Sequence, residues 1–583
     1  MTPRSPSRPE RDRTSSRREF LRVGGLTLGG LALGGGAGAA AWAVTDAARR
    51  PTSEQVPGFA HVVVLMGENR SFDNLLGHLY TPANLPAGDT FEGLAFGDHS
   101  NTAPDGRVVP AHIYTGSTDD IMCAPEPDPG ETYPHVNTQL FGTVDPPSNE
   151  TDWSHGLRSP YNAPPAGATP TMGGFVRDYI ANFRRTSHGR EPDPDRADVI
   201  MGGFAPAMLP VLSTLAKEFA VFDHWHSAVP SQTYCNRSFF HASTSHGFVT
   251  NRGDGGYEKW LDAPDTPTIF NRLNDAGVSW KIYFDEQQLI SLTGVMHAPA
   301  LEEFWRTDHF AYMDEFFADA ANGALPAYAF IEPRMVYNHN DFHPPFGVLR
   351  DSEVDGVPVF DSAVSDVRAG EALVARVYDA VRTADSPTGS HALNTLLLLT
   401  FDEHGGTYDH VPPPAAVPPH PDSSDGEMGF GFDRLGPRVP AIAVSAYTKA
   451  GTIIHDERHH GAVIATLSAL HGLEPLTDRD RDAKTLFDVT NLTEPRPAST
   501  WPTVSPAYVP PLLNEDEVAE LKSSTKPLTS PAKGLLGLLL AKYGEPGHPE
   551  PETYQDAFDI LTAHGLGLFT TGGSTPSPSP TGT

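Results

Sequence analysis

Residues 394–414, NTLLLLTFDEHGGTYDHVPPP, constrain the fold most. Thr395 to Leu399 are all apolar or β-branched, and Thr400 and Phe401 extend the run. So short and so uniformly apolar a run reads as a strand buried on both faces, as in a parallel sheet covered by helices. Asp402 and Glu403 stand at its end, followed by the flexible Gly405 and Gly406. In an open α/β sheet ligands bind beyond the carboxyl ends of the strands, so adjacent carboxylates there are placed to hold a cation. An acidic loop would look the same in isolation.

A second stretch repeats the design. Residues 60–66, AHVVVLM, are another apolar run, and after Gly67 come Glu68 and Asn69, with Ser71 placed to cap a following helix. If the two strands are parallel, all four oxygen-bearing side chains share one rim. Together they favour a metal site over two polar loops.

Between these strands the chain alternates strand and helix patterns. Residues 203–223 read as a helix ending in a brief strand, 278–284 and 328–331 as strands, 370–383 as a one-faced helix and 438–445 as a strand. A helix over 462–471 follows, entered through His459 and His460. This βαβ order predicts a largely parallel sheet covered by helices. Residues 85–198 are rich in Pro, Gly, Asp and Thr, and read as long surface excursions without a core of their own. They include a short helical pattern from His135 to Phe141. The loop at 224–247, HWHSAVPSQTYCNRSFFHASTSHG, is dense in hydroxyls and histidines.

Residues 16–22, SRREFLR, precede a Gly-rich apolar run, a pattern similar to a twin-arginine export signal. We assign residues 1–45 to that signal, 56–480 to a catalytic domain, 481–570 to a helical extension packing on its outside, and 571–583 to a disordered tail. The net charge is −32, and the first 50 residues hold nine Arg against four acidic residues, so the remainder carries −37. Such a surface suits a soluble protein and disfavours nucleic acid or anionic lipid as an electrostatic partner. Two cysteines, Cys123 and Cys235, are too few for a disulfide scaffold; one disulfide and two buried thiols both remain open.

Glu68-Asn69-Arg70-Ser71-Phe72-Asp73, Phe330-Ile331-Glu332-Pro333-Arg334, Asp341-Phe342-His343-Pro344 and Thr400-Phe401-Asp402-Glu403-His404-Gly405-Gly406 with Asp409-His410-Val411-Pro412 occur in this order. The ordered set resembles the phosphoesterase family of bacterial phospholipases C, plant non-specific phospholipases C and related acid phosphatases, over roughly residues 60–475. The resemblance implies an alkaline-phosphatase-like α/β fold with long loop insertions. It implies a divalent metal at Glu68, Asn69, Asp402 and Glu403, and a nucleophilic hydroxyl at Thr233. It further implies His246, His343 and His460 as catalytic groups and matches Asn236 and His241, which we expect as substrate contacts together with His135 of the short helical pattern. Many members have His after Asp-Pro-Gly, where this chain has Glu131.

A threonine hydroxyl is almost wholly protonated at neutral pH and needs a metal or base to attack phosphorus. These residues therefore predict an exported, metal-dependent phosphoric ester hydrolase. The expected reaction is that of a phospholipase C, passing through a phosphothreonine, with phospholipid or a small phosphate ester as substrate and the twin-arginine translocase as export partner. The rivals are an acid-phosphatase-type phosphomonoesterase and a non-catalytic cell-surface protein on the same fold.

Overall fold

The computed structural model describes residues 58–569 except 117, 253–255, 264–265, 355–356, 364–365, 421–425, 510–514, 526 and 546–547. The signal assigned to 1–45 and the tail assigned to 571–583 lie outside the described residues.

Eight strands form the central sheet: β1 (His61–Gly67), β2 (Ala220–Phe222), β3 (Trp280–Phe284), β4 (Phe310–Tyr312), β5 (Tyr328–Ile331), β6 (Thr395–Phe401), β7 (Ala441–Val444) and β8 (Thr452–Ile454). Their spatial order is β8-β2-β7-β6-β1-β5-β3-β4. Every pairing is parallel except the two that β7 makes with β6 and β2, so β7 alone runs against the rest. The two acid-tipped strands are central neighbours. Val62 to Val64 and Leu396 to Leu398 are fully buried or within 1% of it, because helices cover both faces. Burying each Leu or Val there contributes about 1.5–3 kcal/mol relative to exposure.

The helices that matter are α1 (Phe72–Leu76), α2 (Tyr133–Phe141), α3 (Phe175–Thr186), α4 (Pro210–Glu218), α5 (Thr233–Ala242), α6 (Val367–Thr383), α7 (Gly461–His471) and α8 (Ser530–Tyr543). Ser71 Oγ accepts the N–H of Asn74 (3.1 Å) and starts α1 directly after β1. In α6, Val367, Val374, Val377, Tyr378 and Val381 are buried on one face, against α4 and the end of β6.

Two expectations are corrected. Residues 85–198 do have a core: Val109, Val136, Leu140, Phe175, Val176 and Tyr179 form a second apolar cluster, joined by Ile200 and Met201, with α2 packed on α3. The C-terminal extension is not laid on the outside, since Leu535, Leu536, Leu538 and Leu539 of α8 are fully buried in the main core. Both cysteines are free thiols, and Cys235 is buried.

Candidate active site

The parallel pairing of β1 with β6 sets Gly67 opposite Phe401, so the chain leaves both strands at one level. Glu68, Asn69, Asp402 and Glu403 are the next residues, and all four are 0% exposed. Backbone bonds lock them in place. Asp402 Oδ1 accepts the N–H groups of Asn69 (3.0 Å) and Glu403 (2.7 Å), and Glu403 Oε2 accepts that of Gly405 (2.7 Å). Glu68 N–H donates to the Asp341 carbonyl (2.7 Å). Gly405 is left-handed at φ +60°, and a Cβ there would lie 2.2 Å from the Asn69 carbonyl oxygen. Only glycine permits so close a turn.

One oxygen of each of these side chains, Glu68 Oε2, Asn69 Oδ1, Asp402 Oδ2 and Glu403 Oε1, is buried without a hydrogen-bond partner. Buried acceptors left unpaired are costly unless something positive meets them. Burial, then repulsion from Asp402 and Asp341, raises the Glu68 pKa well above the ordinary carboxyl range against the pull of Arg237. Glu403 is likewise raised well above that range, by burial and then by Glu131 and Asp402. Asp402 is raised by burial despite Arg237. Hard oxygen donors of this kind suit a divalent cation, while the acidic and histidine ligand atoms that converge within 4.8 Å among the described residues are those of Asp128, Glu131 and His343.

Thr233 is the first residue of α5 and is buried. Its helix is bound to the acidic cage on both sides of it. Arg237, one turn on and thus on the same face, donates through Nη2 to Glu68 Oε1 and has Nε 3.7 Å from Asp402 Oδ2. Gln232, just before Thr233, donates to Glu131 Oε1 (3.0 Å), and Glu131 Oε2 accepts from Asn69 Nδ2. Glu131 thereby turns the Asn69 carbonyl oxygen away from itself. Asn236 spends its polar atoms on the loop before Thr233, accepting from Val229 N (3.0 Å) and donating to the carbonyls of Val229 (3.2 Å) and Ser231 (2.8 Å).

The histidines divide. His343 is buried, with Nδ1–H donating to the Pro344 carbonyl (2.7 Å) and Nε2 unpartnered. It lies with Asp128 and Glu131 in a group whose ligand atoms are within 4.8 Å of one another. His460 has both nitrogens engaged: Nε2–H donates to the Asp402 carbonyl (2.6 Å), and Nδ1 accepts from Trp225 Nε1 (3.4 Å). As placed it positions Asp402 rather than meeting a reacting atom. His135 bonds Asp178 (2.8 Å) and lines a cavity of about 170 Å³ beside Asp128, Glu131 and Gln232. His241 sits at the other end of α5, about 12 Å along the helix from Thr233 at 1.5 Å per residue, packed edge-on against Phe330. His246 neighbours Phe248 and lies near His297, which burial keeps neutral. These last two are not drawn into contact with the acidic cage by any bond among the described residues.

Sequence reasoning passed over Asp128, Gln232 and Arg237 as site residues and left Glu131 without a role. Arg237 could have been found, because four residues of helix bring it onto the face of Thr233.

Buried acidic residues at the carboxyl rim of an α/β sheet are thus tied, through Arg237 and Gln232, to the helix that Thr233 opens. The chain belongs to the phosphoesterase family, whose model matches residues 59–474. Among curated proteins it is 33% identical to non-specific phospholipase C6 of Arabidopsis thaliana, over 76% of this chain and 75% of that one. It is 32% identical to non-specific phospholipase C3 of the same plant, over 75% and 74%, and 26% identical to phospholipase C A of Mycobacterium tuberculosis, over 84% and 88%. It is a hydrolase of phosphoric ester bonds. A solved structure from the alkaline phosphatase superfamily of Vibrio parahaemolyticus aligns with 47% of this chain and 64% of its own, at 15% identity and a TM-score of 0.27, too low to argue from.

Proposed function

We propose that the chain is an exported, divalent-metal-dependent phospholipase C that cleaves phospholipid to diacylglycerol and a phosphorylated headgroup through a phosphothreonine at Thr233. The observation that carries this reading is the set of four partnerless oxygens on Glu68, Asn69, Asp402 and Glu403, tied through Arg237 and Gln232 to the helix that Thr233 opens. The phospholipases C among its relatives favour a phospholipid over a small monoester.

In the first step Thr233 Oγ attacks phosphorus. A P–O bond to the protein forms, the P–O bond to glycerol breaks, and the proton given up by Thr233 Oγ ends on the departing alkoxide, so that diacylglycerol leaves as the alcohol. Water then attacks the phosphothreonine, breaks its bond to Oγ and restores the hydroxyl. Thr233 stands at the positive end of the α5 dipole, which favours the developing alkoxide. A divalent ion bound by Glu68, Asn69, Asp402 and Glu403 would favour ionisation of the hydroxyl and offset charge on the phosphoryl oxygens. Arg237 keeps Glu68 and Asp402 aligned. Burial lowers the pKa of His246, His343 and His460 to about 4 each, so these rings are neutral near pH 7; of the three, His343 has an unpartnered buried nitrogen, Nε2, whereas His460 has both nitrogens engaged.

The test is incubation of the purified mature chain with phosphatidylcholine vesicles and, separately, a small phosphate monoester, with Mg²⁺, Mn²⁺, Ca²⁺ or Zn²⁺. Phosphocholine and diacylglycerol are the expected products, abolished by chelator. Phosphate from the monoester alone would favour the acid-phosphatase reading, and no turnover of either would favour a binding protein.

A further inference from the structure

We propose that Asp128, Glu131 and His343 form a second cation site beside the Glu68, Asn69, Asp402 and Glu403 cage, suited to Mn²⁺ or Zn²⁺. The inference rests on reading the cage as the first cation site, but not on which ester is cleaved.

The three groups come from distant parts of the chain, yet one ligand atom from each lies within 4.8 Å of the other two. Two of them end in unsatisfied atoms: Asp128 Oδ1 and His343 Nε2 have no hydrogen-bond partner, and the residues are only 7% and 1% exposed. In His343 the ring nitrogen left free of protein partners is Nε2. Its Nδ1–H is given to the Pro344 carbonyl (2.7 Å), which leaves the lone pair on Nε2. Glu131 takes one hydrogen bond on each oxygen, from Asn69 and Gln232, and keeps a second lone pair on each. Asp128 is pinned through its backbone, with its N–H on the Pro345 carbonyl (2.9 Å) and its own carbonyl accepting from Asn182 Nδ2 (3.2 Å). Its side chain, by contrast, stops 4.0 Å from His343 Nδ1, too far for a hydrogen bond.

Charge points the same way. Asp341 is paired with His339 (2.9 Å), but Glu68, Asp128, Glu131, Asp402 and Glu403 are five further carboxylates facing two guanidiniums, Arg237 at Glu68 and Arg70 near Asp128. Burial raises the pKa of Glu68, Asp128 and Glu403, so protons offset part of this charge until a cation displaces them; fully ionised, the group carries minus three. One dication leaves it negative, a poor receiver for a phosphodiester anion; a second makes it positive. Two carboxylates and an imidazole are donors for Mn²⁺ or Zn²⁺, whereas the first cage is all oxygen. The cavity of about 170 Å³ lined by Asp128 and Glu131 is a route by which an ion can enter. The competing arrangement is a proton shared between the carboxyls of Asp128 and Glu131, which needs no ion.

The probe is Mn²⁺ alone, equilibrated by dialysis with chelator-stripped full-length protein and counted by elemental mass spectrometry. Wild type should hold two ions per chain, Asp128→Asn one and Glu403→Gln one. One ion in wild type, or two retained by Asp128→Asn, overturns the proposal. Should Asp128→Asn fail to fold, anomalous diffraction from a wild-type crystal soaked in Mn²⁺ decides, because a peak among Asp128, Glu131 and His343 is required and its absence is fatal. Two bound ions without phospholipid cleavage would keep this site and discard the phospholipase reading.

Discussion

At the scale of single residues, the account separates groups that react from groups that hold them. Thr233→Ala should lower kcat by about 10³-fold or more while leaving the circular dichroism spectrum unchanged, since the residue carries the covalent step and little of the packing. Arg237 is different. It is the guanidinium bound to Glu68 in a fully buried setting, so Arg237→Met leaves carboxylates uncompensated and should cost about 3–5 kcal/mol of stability in chelator. Urea denaturation in chelator and then in saturating Mn²⁺ checks this, because the ion should recover part of the loss; equal losses in both would contradict a cation at the cage. A pH prediction comes from a network away from the site. Burial alone would lower the His410 pKa, but Asp73, 2.6 Å from its Nδ1, outweighs burial and the pKa is raised above 6.5. A raised folded pKa contributes stability that is fully present below the unfolded value and is lost as pH rises through the folded one. The Tm gap between wild type and His410→Asn should therefore be widest below the ordinary imidazole pKa of about 6.5 and narrow as pH rises through the folded value; a gap independent of pH would contradict the pairing.

At the scale of elements, the two acid-tipped strands were legible because each is an unbroken apolar run long enough to be buried on both faces. Their shared rim followed from the βαβ order around them. The short strands Phe310–Tyr312 and Thr452–Ile454 were not legible, since three residues have no period to read, whereas Ala220–Phe222, equally short, showed because it ends a helical pattern. The second core escaped notice for a related reason. Its apolar residues are contributed by α2, α3 and isolated loop positions such as Met172 and Tyr408, and a Pro- and Gly-rich background hides them until the pieces meet. Asp128 and Glu131 were illegible as site residues because Asn69 and His343, which they meet, are distant in sequence and a turn such as Asp-Pro-Gly-Glu is ordinarily a surface feature. The turn after β6 offers an element-scale test. Gly405→Ala places a methyl 2.2 Å from the Asn69 carbonyl oxygen in a left-handed position. It should weaken Mn²⁺ binding at least about tenfold by displacing Asn69, with the fold retained. Unchanged affinity would mean that Asn69 is not a ligand.

At the scale of the whole molecule, one sheet brings together groups from residue 68 to residue 403, and helix α8 of the C-terminal extension is buried in the same core. Leu536→Ala should thus destabilise the entire protein, by about 2–5 kcal/mol, and not merely loosen the extension. Export belongs to this scale too, because the twin-arginine route carries chains that have already folded. Replacing Arg17 and Arg18 by Lys should keep the protein in the cytoplasm on cell fractionation, whereas unchanged export would remove that assignment. The central claim is that the sheet's acidic rim and the threonine that opens α5 act on one phosphorus atom. It is tested most directly by acid-quenching the enzyme during turnover of phosphatidylcholine and mapping its peptides by mass spectrometry. The account predicts one phosphoryl group, on the peptide that holds Thr233 and on that hydroxyl. Turnover that leaves this peptide unmodified, with Thr233→Ala as active as wild type, would contradict it.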